Sequence, residues 1–165
     1  MLLLLHLAGT AVYYDLRYQR IPNRLIVAGL FLGLLYQIEH SRWMGLIEYS
    51  AGVVLPVAVL FILFYFRMMG AGDIKLLSVI GGFLGPMNGL LCIIYTFLFG
   101  SIIAVVLLIK RRNLYSRLCY FKTYLFQYLK SKQWSPYMQQ EDRDSHFYFS
   151  VPVFLSLLCF LGGVY

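Results

Sequence analysis

The chain has 165 residues, of which 61% are hydrophobic and 13% are charged. A soluble domain of this length cannot bury so much apolar surface, so the composition excludes an ordinary water-soluble globule and predicts an integral membrane protein. The net charge of +7 would suit a nucleic-acid ligand, but the placement of the basic residues argues against that class, and we expect no nucleic-acid partner.

Six apolar segments follow one another along the chain. They cover residues 2–14, 25–38, 49–66, 74–84, 89–109 and 147–165. A bilayer crossing needs about 20 apolar residues, with a tolerated range of roughly 17–25, and the third, fifth and sixth segments meet that range. Gly85 and Pro86 predict a tight hairpin between the fourth and fifth segments. Pro22 predicts that the first helix ends near Ile21, and Asn23 can then cap the second helix.

The basic residues indicate how the segments are oriented. If all six cross the membrane, every one of the fourteen Lys and Arg residues except Arg42 falls on the same side. The positive-inside rule assigns that side to the cytoplasm. We therefore predict an all-α, polytopic integral membrane protein of about six transmembrane helices, with both termini outside the cytoplasm. Residues 1–165 would form a single membrane-embedded domain.

A basic connection over residues 110–146 lies on the cytoplasmic side in this topology. Within it, residues 113–134 repeat leucine and phenylalanine at helical spacing, with lysine and arginine between them. That pattern predicts an amphipathic helix on the cytoplasmic leaflet, held there by anionic lipids of the bilayer. A flexible basic loop is the alternative.

Two carboxylates adjoin apolar segments and are the candidate functional residues. Asp15 follows the first segment and Asp73 precedes the fourth, so the predicted topology places both at the cytoplasmic ends of their helices. Two carboxyl groups held close together do not both ionise readily. One can then act as a general base towards water while the other acts as a general acid. Asp73 is the better candidate for the base, because a helix N-terminus favours the anion.

Simpler structural explanations exist for each acid. Asp73 could be an ordinary N-cap of the helix that follows it. Asp15 could be a solvated interfacial charge, although Tyr18 and Gln19, its neighbours at i+3 and i+4, offer it no basic partner. The glycines of the segment 70–73 could belong to a flexible connection, or they could permit close approach by an extended peptide.

Other chemistries find no support in the sequence. It contains no HExxH, GxSxG or P-loop motif, its three histidines are scattered, and its three cysteines form no CxxC pair. We therefore predict neither a metal ion nor a cofactor.

The surroundings of the two aspartates resemble the paired motifs of a known family. Asp15 begins the segment Asp-Leu-Arg-Tyr-Gln-Arg-Ile-Pro-Asn, residues 15–23, and Asp73 lies in Gly-Ala-Gly-Asp-Ile-Lys, residues 70–75. Together these resemble the motifs of the prepilin peptidases, which are GxGD-type membrane aspartyl proteases. Ser150-Val151-Pro152, at the start of the last apolar segment, also resembles that family's last helix.

The resemblance implies an aspartic-type endopeptidase that cleaves the class III leader peptide of prepilins or pilin-like proteins on the cytoplasmic side of the cell membrane. It implies that Asp15 and Asp73 are the catalytic pair and that Gly70, Gly72 and Lys75 shape the site. Bifunctional members also N-methylate the mature pilin and carry an insert with paired CxxC motifs. This chain has no such insert, so N-methyltransferase activity is not expected. It is similar to the compact members, including those of tight-adherence pili, and archaeal preflagellin peptidases are a close variant.

A protein of a different class is the alternative. In a non-enzymatic polytopic membrane protein, such as a transporter or a secretion-system subunit, Asp15 and Asp73 would bind an ion or a proton. The glycine-flanked acid at a cytoplasmic depth favours access by a peptide over passage across the membrane.

Overall fold

A computed structural model of the protein describes residues 1–66, 68–110 and 148–163. Within these ranges the regular structure is helical and contains no strand, which confirms the predicted all-α fold. The predicted interfacial helix over residues 113–134 lies outside the described residues, as does the basic loop 110–146 beyond its first residue. The described helices are α1 (Leu2–Tyr18), α2 (Asn23–Tyr65), α3 (Ala71–Lys110) and α4 (Ser150–Leu161).

Two helical stretches, Trp43–Tyr65 and Ala71–Leu107, are long and apolar enough to cross a membrane. Only 17% and 22% of their most apolar windows are buried inside the protein. The core helix of a soluble protein would be mostly buried, whereas a helix that exposes an apolar surface on this scale needs lipid as its solvent. The chain is therefore a membrane protein, and the number of crossings stays a prediction.

Helix α2 reverses direction within its length. The Tyr49 hydroxyl donates a hydrogen bond to the Leu30 carbonyl at 2.8 Å, although 19 positions separate them. In a straight helix that separation would span about 28 Å. The Gln37 amide also donates to the Glu48 carboxylate, at 3.4 Å. The chain therefore folds back between Gln37 and Glu48, where the second and third apolar segments are separated in the sequence.

Helix α3 contains a second reversal, at Gly85. This residue has φ 79° and ψ 173°, a conformation that favours glycine, and Pro86 follows it. A Cβ atom added to Gly89 would lie 3.0 Å from the Cα atom of Gly81, whereas eight residues of straight helix would separate these positions by about 12 Å. The predicted hairpin at Gly85-Pro86 is confirmed.

The first half of α3 packs against the second half of α2 at Gly52 and Gly81. A Cβ atom added to Gly52 would overlap the Gly81 carbonyl, and one added to Gly81 would overlap the Gly52 carbonyl. Lipid provides no hydrophobic drive for helix association, so membrane helices depend on small residues that let their backbones approach closely. The two glycines therefore set the spacing between α2 and α3.

Helices α1 and α4 pack against each other. The buried side of α1 consists of Leu4, Leu7, Ala8 and Ala11, and that of α4 includes Val153 and Leu157. These contacts lie in a compact unit formed by Met1–Gly100 and Tyr148–Tyr165, while Ser101–Phe147 form a second unit. The packing within the first unit is what brings the start of α4 to the end of α1.

We expect Gly52→Ala to lower the free energy of unfolding by about 1–3 kcal/mol, because its methyl group cannot fit against the Gly81 carbonyl without a backbone shift. The measurement is the unfolding midpoint of the purified protein in detergent. Gly9→Ala on α1 is the matched control, since among the described residues its methyl group would meet a ring atom of Phe154 at 3.8 Å, an ordinary van der Waals distance. Alanine is the better helix former there, so the control should be as stable as the wild type or slightly more stable. Equal stability of the two variants would contradict the close glycine contact.

Candidate functional site

Asp15 lies in the last turn of α1. Its carbonyl accepts a hydrogen bond at 2.9 Å from the N–H of Gln19, which ends the helix in the left-handed conformation at φ 55° and ψ 28°. The C-terminal end of a helix dipole is negative and therefore disfavours a carboxylate. An anion at this position needs donors from another part of the fold.

The N-terminus of α4 supplies those donors. The Ser150 hydroxyl donates to Asp15 Oδ2 at 2.5 Å, and the Ser150 N–H donates to the same oxygen at 3.4 Å. Ser150 is the first residue of α4 and is fully buried, so the positive end of this helix dipole faces the carboxylate. Sequence reasoning missed this contact because 135 positions separate the two residues. The available signal was the place of Ser150 at the start of the last apolar segment.

Asp73 lies in the first turn of α3, which begins at Ala71. The backbone N–H of Gly70 donates a hydrogen bond to its carboxylate. A carboxylate that returns to the N–H of the residue preceding the helix forms the acidic half of a capping box. Asp73 thus caps α3 from the third helical position, whereas the simpler explanation had placed it at the N-cap itself.

The two carboxylates lie close enough to interact electrostatically. Both side chains are partly buried. Each faces a helix N-terminus, Asp73 that of α3 and Asp15 that of α4, so two dipoles offset the two negative charges. The structure therefore places Asp15 and Asp73 within electrostatic range of each other, although they belong to different helices.

The two motif glycines differ in their surroundings. A Cβ atom added to Gly70 would lie 3.2 Å from Asp73 Oδ2, which is a tight contact. One added to Gly72 would meet the Ile21 side chain at 3.8 Å, which is an ordinary van der Waals distance. Gly70 therefore adjoins the carboxylate directly, while Gly72 faces the connection between α1 and α2.

Lys75 has an exposed side chain, and its Nζ donates to Asn23 Oδ1 at 3.1 Å. It links the N-terminal part of α3 to the start of α2. The prediction that Asn23 caps α2 is wrong: the N-cap is Pro22, with extended backbone at φ −67° and ψ 133°, and no side chain caps the helix. The Asn23 side chain bonds Lys75 instead.

An open apolar cavity of about 550 Å³ adjoins Gly70. Large aromatic and methionine side chains from the end of α2 and the connection to α3 form most of its wall. The lining residues are Phe61, Phe64, Tyr65, Met68, Met69, Gly70 and Ala71. Across the described ranges, no three His, Cys, Asp or Glu side chains come together as a possible metal site.

Comparison with family models gave a match to the type IV leader peptidase family over residues 2–109. The searches of curated proteins and of solved structures each returned no match. The matched span covers well over half of the chain and includes both aspartates and the segment 70–75. Since this span holds the same paired motifs that pointed to a leader peptidase, the chain belongs to the type IV leader peptidase family.

Proposed function

We propose that the protein is an aspartic endopeptidase that removes the class III leader peptide from prepilins or pilin-like proteins, with Asp15 and Asp73 as its catalytic pair. Family membership supports leader peptidase activity in general. The observation that carries the aspartic mechanism is the electrostatic interaction between these two carboxylates, which come from different helices. A transporter or secretion subunit that uses the same acids for an ion or a proton would not account for the match to a peptidase family.

The pair has the groups that peptide hydrolysis needs. Repulsion between neighbouring carboxylates favours a state in which one of them holds a proton. The ionised member takes a proton from water as the water oxygen attacks the scissile carbonyl, and the protonated member donates to the carbonyl oxygen. A proton then passes to the leaving amine. Because both acids face a helix N-terminus, the dipole no longer favours Asp73 over Asp15 as the base, and we assign the chemistry to the pair as a unit.

The cavity beside Gly70 suits the apolar part of the substrate. In the prepilin peptidases that the motifs resemble, cleavage occurs before the hydrophobic helix of the pilin. Most of the wall of this cavity is aromatic or aliphatic, and it includes Gly70 and Ala71, where the turn that carries Asp73 begins. We assign the cavity to the apolar residues that follow the scissile bond, since it would seat them next to the carboxyl pair.

The membrane arrangement is part of the proposal. Six crossings with both termini outside would place Asp15 and Asp73 at the cytoplasmic face of a prokaryotic cell membrane, with the loop 110–146 against anionic lipids. The two reversals, at Gly85 and between Gln37 and Glu48, support passages that alternate in direction. Placement of the basic residues supports the orientation.

We expect Asp15→Asn and Asp73→Asn each to reduce cleavage by about 10²–10⁴-fold, because asparagine keeps the shape of the side chain but cannot transfer the proton. The readout is conversion of a co-expressed prepilin to its shorter form, measured by mass spectrometry and normalised to the amount of enzyme in the membrane. Glu48→Gln is the control, since Glu48 bonds Gln37 in the α2 reversal and should leave cleavage unchanged. Near-wild-type cleavage by either aspartate variant would refute the two-aspartate mechanism.

Gly70→Ala should reduce cleavage about tenfold, because its methyl group would press on Asp73 Oδ2 at 3.2 Å and displace the carboxylate. Gly72→Ala is the matched control from the same motif. Its methyl group meets Ile21 at 3.8 Å, so cleavage should stay within about threefold of wild type. The same prepilin assay measures both. An equal loss in the two variants would show that backbone freedom of the motif, and not contact with Asp73, is what matters.

Labelling of single cysteines in intact cells tests the topology. In a background without the native cysteines, Met87→Cys beside the Gly85 reversal should react with a membrane-impermeant maleimide, because this exposed position lies outside the cytoplasm in the six-crossing arrangement. Arg20→Cys should react only after the cells are permeabilised. The opposite pattern, or labelling of both positions in intact cells, would rule out the proposed orientation.

A further inference from the structure

We propose that Ser150 is a positioning residue for the reaction, which holds the Asp15 carboxylate in its working orientation and makes α4 part of the active site. This inference rests on the proposed role of Asp15 in the catalytic pair. It reaches beyond the family match, which ends at residue 109.

The contact has the geometry of a charge-assisted hydrogen bond. The 2.5 Å distance from the Ser150 hydroxyl to Asp15 Oδ2 lies at the short end of the range for an O–H donor and a carboxylate. The Ser150 N–H donates to the same oxygen. Both donors described for this carboxylate bond Oδ2. Two donors on one oxygen fix the rotation of the carboxylate and thereby aim the other oxygen.

A second serine on the same helix shows what an ordinary packing contact looks like here. Ser156 is also fully buried, and its hydroxyl donates to the backbone carbonyl of Cys92 at 2.9 Å. The same hydroxyl also contacts Cys92 Sγ at 3.4 Å, so it joins α4 to α3 through a residue outside the candidate pair. Ser150 instead bonds an ionisable side chain of the candidate pair, so the two serines are alike in burial and helix and differ in what they hold.

The position of Ser150 is itself fixed by its neighbours. Phe149, the residue before it, packs edge to face on Phe97 of α3 with ring centroids 5.7 Å apart. Phe154 lies over Gly9 of α1. Contacts with α1 and α3 therefore hold the start of α4 in place, and this rigid support is what a positioning group requires.

The test uses the full-length enzyme purified in detergent and a purified prepilin that retains its leader. We expect Ser150→Ala to lower kcat about ten- to a hundredfold with KM within about twofold of wild type, because a hydrogen bond that orients the Asp15 carboxyl group is lost while the surface that binds substrate is retained. Ser150→Thr keeps a hydroxyl and should recover most of kcat. Ser150→Cys keeps the size of the side chain but offers only a weak donor, so it should behave like Ser150→Ala.

Ser156→Ala is the matched control and should leave kcat and KM unchanged, even if it lowers the unfolding midpoint. Wild-type kcat in Ser150→Ala or in Ser150→Cys would overturn the inference. A loss of activity in both Ser150→Ala and Ser156→Ala that is proportional to the loss of folded protein would also overturn it. If Ser150→Thr does not fold, the alanine and cysteine variants still decide the matter. Asp15→Asn in the same series separates the two proposals. An active Asp15→Asn variant would refute the catalytic pair. An inactive Asp15→Asn variant together with a fully active Ser150→Ala variant would refute only the role of Ser150.

Discussion

The fold depends on the placement of two partly buried carboxylates in a protein that is 61% hydrophobic. An acid in apolar surroundings is costly, and two neighbouring acids also repel each other. Both are set against helix N-termini, where N–H groups and the helix dipole favour negative charge. Asp73 uses the start of its own helix, and Asp15, at the unfavourable end of α1, uses the start of α4. The packing of α4 on α1 meets this requirement for Asp15.

Chain reversals and small residues make that placement possible. The turn between Gln37 and Glu48 and the turn at Gly85 return the chain twice, so that segments distant in sequence run side by side. Gly52 and Gly81 then let the backbones of α2 and α3 meet at a distance that any side chain would prevent. Lipid tails are as apolar as the side chains, so the hydrophobic effect does not drive the helices together. Close backbone contact and interhelical hydrogen bonds are the available sources of stability.

Features with a local signal could be predicted from the sequence, and features that depend on tertiary contacts could not. The helices follow from apolar segments, the hairpin follows from Gly85 and Pro86, and the acids stand out because each adjoins an apolar run. The place of Ser150 at the start of the last apolar segment marks that residue, but its contact with Asp15 could not be predicted, since it arises from the packing of the first helix on the last. Asparagine is a residue type that often caps helices, but the Asn23 side chain accepts a hydrogen bond from Lys75 instead. Residues adjacent to Asn23 in the sequence do not reveal this contact.

The contact between Asp15 and Ser150 also orders the assembly of the site. Asp15 belongs to the first helix and both of its described donors belong to the last, so its carboxylate lacks them until α4 has packed on α1. Asp73 obtains the N–H of Gly70 as soon as α3 forms, because that contact is local. Asp73 is therefore positioned by local structure, and Asp15 is positioned by the contact between α1 and α4. An enzyme assembled in this way completes its carboxyl pair only when its last described helix is in place.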